Sequence, residues 1–242
     1  MDLIQVENLS VSGRLQPISF TLKRGEMLGV IGPNGAGKST LLQCLAGIQP
    51  YSGRIEFEGR NLAELKQRQR ARLFGYLPQA QQSAWALRVE DVVALGRLPW
   101  GDEDTQKIEA AMRLADVTQW RKRPVAQLSG GEQARVWLAR VLAGEPNVLL
   151  ADEPIASLDL KHQRTIMELL RSHSHWQQAT ILSLHDLSLA ARYCDKLCLM
   201  AEGRLLAFGS AAEVLTPEHL SLAFGVDVHV DLDSQPPIIL PR

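Results

Sequence analysis

With 242 residues, of which 45% are hydrophobic and 22% charged, the chain is long enough to bury a full core as one large folded unit or two closely joined lobes. A formal net charge of -1 and a pI near 6.6 exclude a general nucleic-acid binder, whose affinity would come from a basic surface that neutralises phosphates. No stretch approaches the roughly 18 apolar residues that span a bilayer, and the start MDLIQVENLS has no basic-then-apolar leader pattern, so the chain is expected to be neither exported nor membrane-spanning by itself.

In chain order, residues 3–11 and 18–22 alternate apolar and polar side chains (Ile4, Val6; Ile18, Phe20, Leu22), the period of half-buried strands, and predict an N-terminal antiparallel sheet. A continuous apolar run, Met27 to Ile31, ends at Gly32, and Leu41, Leu42 and Leu45 then recur at helical spacing until Gly47 and Pro50 stop them, which reads as strand, glycine loop, helix. The basic run from Lys66 to Arg72 is expected to be the solvated face of a helix. From about 84 to 135 the pattern turns helical, with Val89–Leu95 and Ile108–Leu114 clearest, and predicts an inserted helical lobe. Val136–Ala143 continues a mostly apolar helix, while Val148–Ala151 and Thr180–Leu184 read as buried parallel strands. Alternating strands and helices predict an α/β sheet. Lys196–Met200 and Leu205–Phe208 flank a Glu202-Gly203 turn suited to a hairpin, and 210–242 reads as a helix plus an irregular tail. Cys44, Cys194 and Cys198 are too few and too oddly spaced for a disulfide framework or a zinc site and are expected to be reduced, packed thiols in a cytoplasmic compartment. His173 and His175 have no further metal ligand close in sequence and are read as part of a polar surface loop.

Gly32-Pro33-Asn34-Gly35-Ala36-Gly37-Lys38-Ser39-Thr40 satisfies G-x-x-x-x-G-K-[ST] in the strand-to-helix context that motif requires. Its glycines let backbone N–H groups converge on phosphate oxygens at the positive end of the next helix, Lys38 reaches further phosphates, and Ser39 offers a hydroxyl to Mg²⁺. Val148-Leu149-Leu150-Ala151-Asp152-Glu153 puts two acids at the end of a buried strand, where Asp152 suits Mg²⁺ and Glu153 suits the attacking water. A phosphate loop alone fits kinases, GTPases, helicases and motors alike. Leu128-Ser129-Gly130-Gly131-Glu132 adds a second small-residue corner at the start of a long helix, a second place where backbone N–H groups face an anion.

With these two segments in one chain, the sequence resembles the ABC (ATP-binding cassette) ATPase family over almost its whole length. The resemblance implies a phosphate-loop NTPase core with an N-terminal antiparallel β-subdomain and an inserted α-helical subdomain in one domain, 1–242, with ATP and Mg²⁺ as cofactors. It implies a head-to-tail homodimer in which Ser129, Gly130 and Gly131 of one copy complete the nucleotide site around Lys38 of the other. Gln79, in Tyr76-Leu77-Pro78-Gln79, matches the Q-loop glutamine that senses metal and γ-phosphate, joining Ser39 and Asp152 around Mg²⁺. Ser157-Leu158-Asp159 matches the D-loop, with Asp159 at the nucleotide. His185, in Leu184-His185-Asp186, matches the switch histidine, so that Glu153, His185, Gln79 and Lys38 form the catalytic set. The family's usual aromatic residue beside adenine has no counterpart in Val11-Ser12-Gly13-Arg14, and Arg14, with its planar guanidinium, is the expected substitute.

Val89-Glu90-Asp91-Val92-Val93-Ala94-Leu95-Gly96-Arg97-Leu98-Pro99-Trp100 resembles a segment of the ATPases that serve importers of ferric siderophores, haem and cobalamin, with Trp100 in place of a frequent His. Val214-Leu215-Thr216-Pro217 and Phe224-Gly225-Val226-Asp227 resemble the same branch, and the opening Gly13–Ser19 is similar to its cobalamin member. The resemblance implies two separate transmembrane permease subunits, an indirect periplasmic or extracellular solute-binding protein, no nucleic acid, and a peripheral position on the cytoplasmic face of the membrane; Trp85 and Leu87, after Gln79, are read as lobe core ahead of the docking groove. Two rivals stand against it. A soluble ABC ATPase of DNA repair or translation would need a long coiled-coil insertion or tandem cassettes, and a phosphate-loop kinase or GTPase would not need LSGGE or His185.

Overall fold

The computed structural model describes residues 2–79, 87–156, 158–174 and 178–242. Asp2–Val11 (β1) and Leu15–Lys23 (β2) form the expected hairpin, with Val6 opposite Phe20 and Leu9 opposite Ile18. Met27–Ile31 (β3) leads through the glycine loop into Lys38–Leu45 (α1). Ser52–Phe57 (β4) and Arg60–Asn61 (β5) then complete a four-stranded antiparallel sheet of order β2-β1-β4-β5. Gln67–Leu73 (α2) and Phe74–Leu77 (β6) precede the helical lobe of Val89–Ala94 (α3), Thr105–Leu114 (α4) and Gly130–Ala143 (α5). Val148–Ala151 (β7), Leu160–Ser174 (α6), Ala179–Leu184 (β8), Leu187–Tyr193 (α7), Lys196–Ala201 (β9) and Arg204–Gly209 (β10) follow. The chain ends in Ala211–Val214 (α8), Pro217–Phe224 (α9), Val228–Asp231 (β11) and Ile238–Pro241 (β12).

The second sheet has the order β10-β9-β3-β8-β7-β6, parallel throughout except for β10. Its central strands read as mostly apolar runs because both faces are covered. Met27, Ile31, Leu149, Ala151, Leu182, Leu184, Leu197 and Leu199 point into one core with α3 to α7. Their neighbours Leu28, Val30, Val148, Leu150, Ile181, Cys198 and Met200 point into another with α1 and the antiparallel sheet. Side chains alternate across a strand, so one sheet seals two cores, and each buried Leu or Ile contributes about 1.5–3 kcal/mol. Chain order sends β3 to the centre and β6 to the far edge. The carboxyl ends of β3, β6, β7 and β8 thus share one rim, the place where open α/β sheets gather ligands.

Several elements differ from expectation. Helix α5 starts at Gly130 and runs across position 135, so the lobe ends inside a helix rather than at a linker. The irregular tail is two helices and a hairpin, β11 pairing with β12. The separation of the paired strands by 232–237 hides them from pattern reading, and what holds them is Val228, Val230 and Ile239 packing on the main core. The basic run is exposed from Lys66 to Gln69, as expected of a solvated face, but it also bridges: Arg68 Nε and Arg72 Nε donate to Pro99 O at 2.6 and 2.9 Å, and Arg72 lies 4.7 Å over the Trp100 ring. It clamps the lobe to α2. Trp100 Nε1 also donates to Gly144 O at 2.8 Å, and the buried Arg97 makes a fork to Asp102 with two 2.8 Å bonds. Within the Val89–Trp100 segment, Arg97 and Trp100 therefore serve packing. His173 is not in a surface loop but buried in α6, Nδ1 3.2 Å from Thr180 Oγ1 and Nε2 3.1 Å from Pro146 O, with its pKa pushed down to about 4 by burial. His175, Ser157, Trp85 and Ala84 lie outside the described residues, whereas Leu87 packs on the lobe core. Cys44 and Cys198 are buried and Cys194 partly so, all three unbridged.

Candidate active site

The glycine loop is shaped before anything binds. Gly32 has φ +145°, and a Cβ there would fall 2.0 Å from Met200 O, so the loop can pass over β9 only as glycine. Helix α1 begins after Gly37 with no side-chain cap and no acid in its first turn, which leaves its first N–H groups facing the rim. Lys38 is buried and donates to Gly32 O at 2.8 Å and Pro33 O at 3.0 Å. Burial lowers the pKa of this ammonium, while Glu153 and Asp152 act in the opposite sense.

Across the cleft, β7 ends at the two acids. Asp152 is buried, and Asp152 N donates to Leu77 O at 2.8 Å, extending the β6–β7 ladder by one rung. Ser183 Oγ, from the neighbouring β8, donates to Asp152 Oδ1 at 2.7 Å and accepts from Glu153 N at 2.7 Å. One buried hydroxyl thus orients both acids. Glu153 stands at φ +48°, a left-handed conformation unusual for a non-glycine residue and a mark of functional sites. Its carboxylate accepts from Gln79 Nε2 at 2.6 Å and lies 2.6 Å from His185 Nε2. Because a carboxylate only accepts, Nε2 carries the proton. Asp186 caps α7 by accepting from Leu189 N at 2.9 Å, which fixes where His185 leaves β8.

A cleft of about 650 Å³ joins these groups: Asn34 to Thr40, Gln79, Glu153 and His185 line it. Arg14 lines its far end, as does the turn at Glu202 and Gly203, which pattern alone presents only as a hairpin turn. Gln16 N donates to Gly203 O at 2.8 Å and Gly203 N to Ala36 O at 3.2 Å, so the β9–β10 turn buttresses both the first hairpin and the glycine loop. Ser183 also escapes motif reading; its one signal is a hydroxyl near the carboxyl end of a buried strand. Gly32 and Pro33 act through their carbonyls, and Asp152 sits behind the lining.

The structure does not bring Ser129, Gly130, Gly131 or Asp159 to this cleft. Ser129 caps α5 in a box with Glu132: Ser129 N donates to Glu132 Oε2 at 2.8 Å, and Ser129 Oγ accepts from Glu132 N at 3.4 Å. Asp159 precedes α6 and accepts from His162 N at 2.9 Å.

The donor set fits Mg²⁺ and a nucleotide triphosphate. The Ser39 hydroxyl, the Asp152 carboxylate and the Gln79 amide oxygen are hard oxygen ligands of the kind Mg²⁺ takes, and the uncapped end of α1 with the buried Lys38 provides fixed donors and a cation for phosphate.

Comparison with known proteins gives the family. Residues 15–156 match the ABC transporter family. The hemin import ATP-binding protein HmuV of Pseudomonas putida is 42% identical over 99% of this chain and 100% of its own length, and that of Pseudomonas aeruginosa 43% identical over 94% of each. A solved inward-facing ABC transporter, assigned to the metal-chelate type, superposes with a TM-score of 0.86 at 27% identity over 100% of this chain and 98% of its own. The chain belongs to the ABC transporter family, as one of its ATP-binding subunits.

Proposed function

We propose that the chain is the ATP-hydrolysing subunit of an importer for a metal-chelate solute, working as a head-to-tail dimer on two membrane permease subunits. The observation that carries this is the division of the site: one chain supplies the phosphate loop, the acids, Gln79 and His185 in a single cleft, while its Ser129 corner lies outside that cleft and needs a second copy to be useful. Glu153 activates the attacking water, His185 and Gln79 hold that carboxylate between them, and Lys38 with the α1 N–H groups receives the phosphates. Mg²⁺, when bound at Ser39, Asp152 and Gln79, would neutralise charge that builds on the phosphates. Arg14 lies against the base.

The names of the relatives favour hemin among metal chelates, ahead of cobalamin. Among the described residues no helix is long and apolar enough to cross a membrane. In this reading solute movement falls to separate subunits, and the chain sits peripherally on the cytoplasmic side. Ile48, Leu95 and Leu98 are exposed around a groove of about 550 Å³ between α1, α2 and the lobe, an apolar face suited to a permease loop. The short lobe, without a coiled-coil insertion, disfavours a nucleic-acid repair or translation ATPase.

The test is complementation. Lys38→Ala and Ser129→Arg chains are each inactive alone, but their mixture forms dimers with one intact site and restores about a quarter of single-turnover hydrolysis, as two-fold pairing requires. A mixture as inactive as its components refutes shared sites. Co-purification with a polytopic membrane protein, and haem-stimulated turnover in that complex, tests the rest.

A further inference from the structure

Helices α5 and α6 begin side by side, and one residue with no role so far stands between them. His162 is in the first turn of α6. Its Nδ1 lies 2.8 and 2.9 Å from the two carboxylate oxygens of Asp159, and its backbone N–H donates to Oδ1 of the same group at 2.9 Å. These contacts hold the Asp159 carboxyl below the usual carboxylate range. The ring also lies against the Ser129–Gly131 corner: a Cβ built on Gly131 would fall 2.5 Å from His162 Cγ. Gly131 is therefore glycine for a reason internal to this chain, since the imidazole occupies the space a side chain would need. Gln163 adds a second tie, donating to Leu158 O at 3.0 Å.

We propose that His162 is a positioning residue that binds the Asp159 loop and the Ser129–Gly131 corner into one rigid unit, so that both meet the second copy's nucleotide together. The planar ring suits this role, because its edge takes the carboxylate while its atoms fill the gap beside Gly131. Two loops that share a strut cannot close independently, and catalysis that depends on a fully assembled site suffers when one of them lags. The proposal rests on the shared-site reading above. In this role His162 acts through Asp159 and Gly131.

The test uses the purified full-length chain. His162→Ala is expected to lower kcat for ATP about tenfold with KM within about twofold, since assembly and not nucleotide capture is impaired. In a Glu153→Gln background it weakens the ATP-driven dimer by a similar factor. His162→Asn, whose amide N–H falls near the place of Nδ1, recovers at least about half of the lost turnover, as expected when one hydrogen bond carries the effect. Full turnover in the Ala variant overturns the proposal. So does an Asn variant as slow as Ala, or an Ala variant whose loss lies in KM and thermal stability instead of kcat. Ser129→Arg separates the two levels: if it hydrolyses normally, the shared site itself is wrong and this inference falls with it, whereas an inactive Ser129→Arg beside a normal His162→Ala removes His162 alone.

Discussion

Helix α1 follows Gly37 with no side chain capping it and no acid in its first turn, whereas α5 follows Ser129, which closes a box whose acid is Glu132. Both ends are rich in small residues and both carry the positive end of a helix dipole. At α1 the donors are left open, and Lys38 lies buried beside them. At α5 the Glu132 carboxylate already takes the Ser129 N–H and opposes the dipole, which also keeps its own pKa low. The first end is built to hold an anion by itself. The second keeps the Ser129 and Glu132 N–H groups within its own box, and in the proposed head-to-tail pairing it would act on an anion delivered by another surface, the contrast that would make hydrolysis conditional on pairing.

The largest expected effect separates chemistry from both ends. Glu153→Gln removes the base while leaving α1 and α5 intact, so turnover falls by about 10³ with ATP still bound, and gel filtration with ATP shows a stalled dimer; normal turnover in this variant would reassign the base. Next, nucleotide affinity of the isolated chain distinguishes the two helix ends. Lys38→Ala lowers it by about 100-fold and Ser129→Arg leaves it within about twofold, as read by titration with a fluorescent ATP analogue. Equal losses in the two variants would erase the contrast. A smaller effect belongs to the support of the acids. Ser183→Ala breaks the 2.7 Å bonds to Asp152 Oδ1 and Glu153 N, and kcat drops about tenfold because geometry near the reacting atoms is loosened. The smallest is at the base end, where Arg14→Ala weakens ATP binding about threefold, the scale of one exposed planar cation contact; unchanged affinity would remove Arg14 from the site.

Legibility follows the range of the interactions. The glycine loop, the acid pair and the Glu202-Gly203 turn are readable because each is set by its own few residues: glycines at positive φ, carboxylates at a strand end, a primed turn with φ +48° and +73°. The tail motifs are visible as well, and the structure shows their reason, since Thr216 accepts from His219 N at 3.2 Å, Pro217 opens α9 and Gly225 closes it at φ +72°. The linear pattern misses the bridge from Arg68 and Arg72 because their partner Pro99 is 27 or more positions away. It misplaces His173 because the burial of that ring depends on α6 lying over β8, and burial of a polar ring is invisible to periodicity.

The amino-acid sequence by itself thus determined the phosphate loop, the acids, the first hairpin, the strands β3, β7 and β8 and the presence of a second small-residue corner, because local backbone sterics and apolar period suffice for each. Only the tertiary structure decided that Gln79 and His185 converge on one carboxylate, that Ser183 aligns two acids, that the signature corner lies outside its own cleft, and that His162 joins it to Asp159. Those contacts link residues brought together by strand order and helix packing, and a linear pattern carries no information about which distant side chains a folded sheet sets within hydrogen-bonding reach.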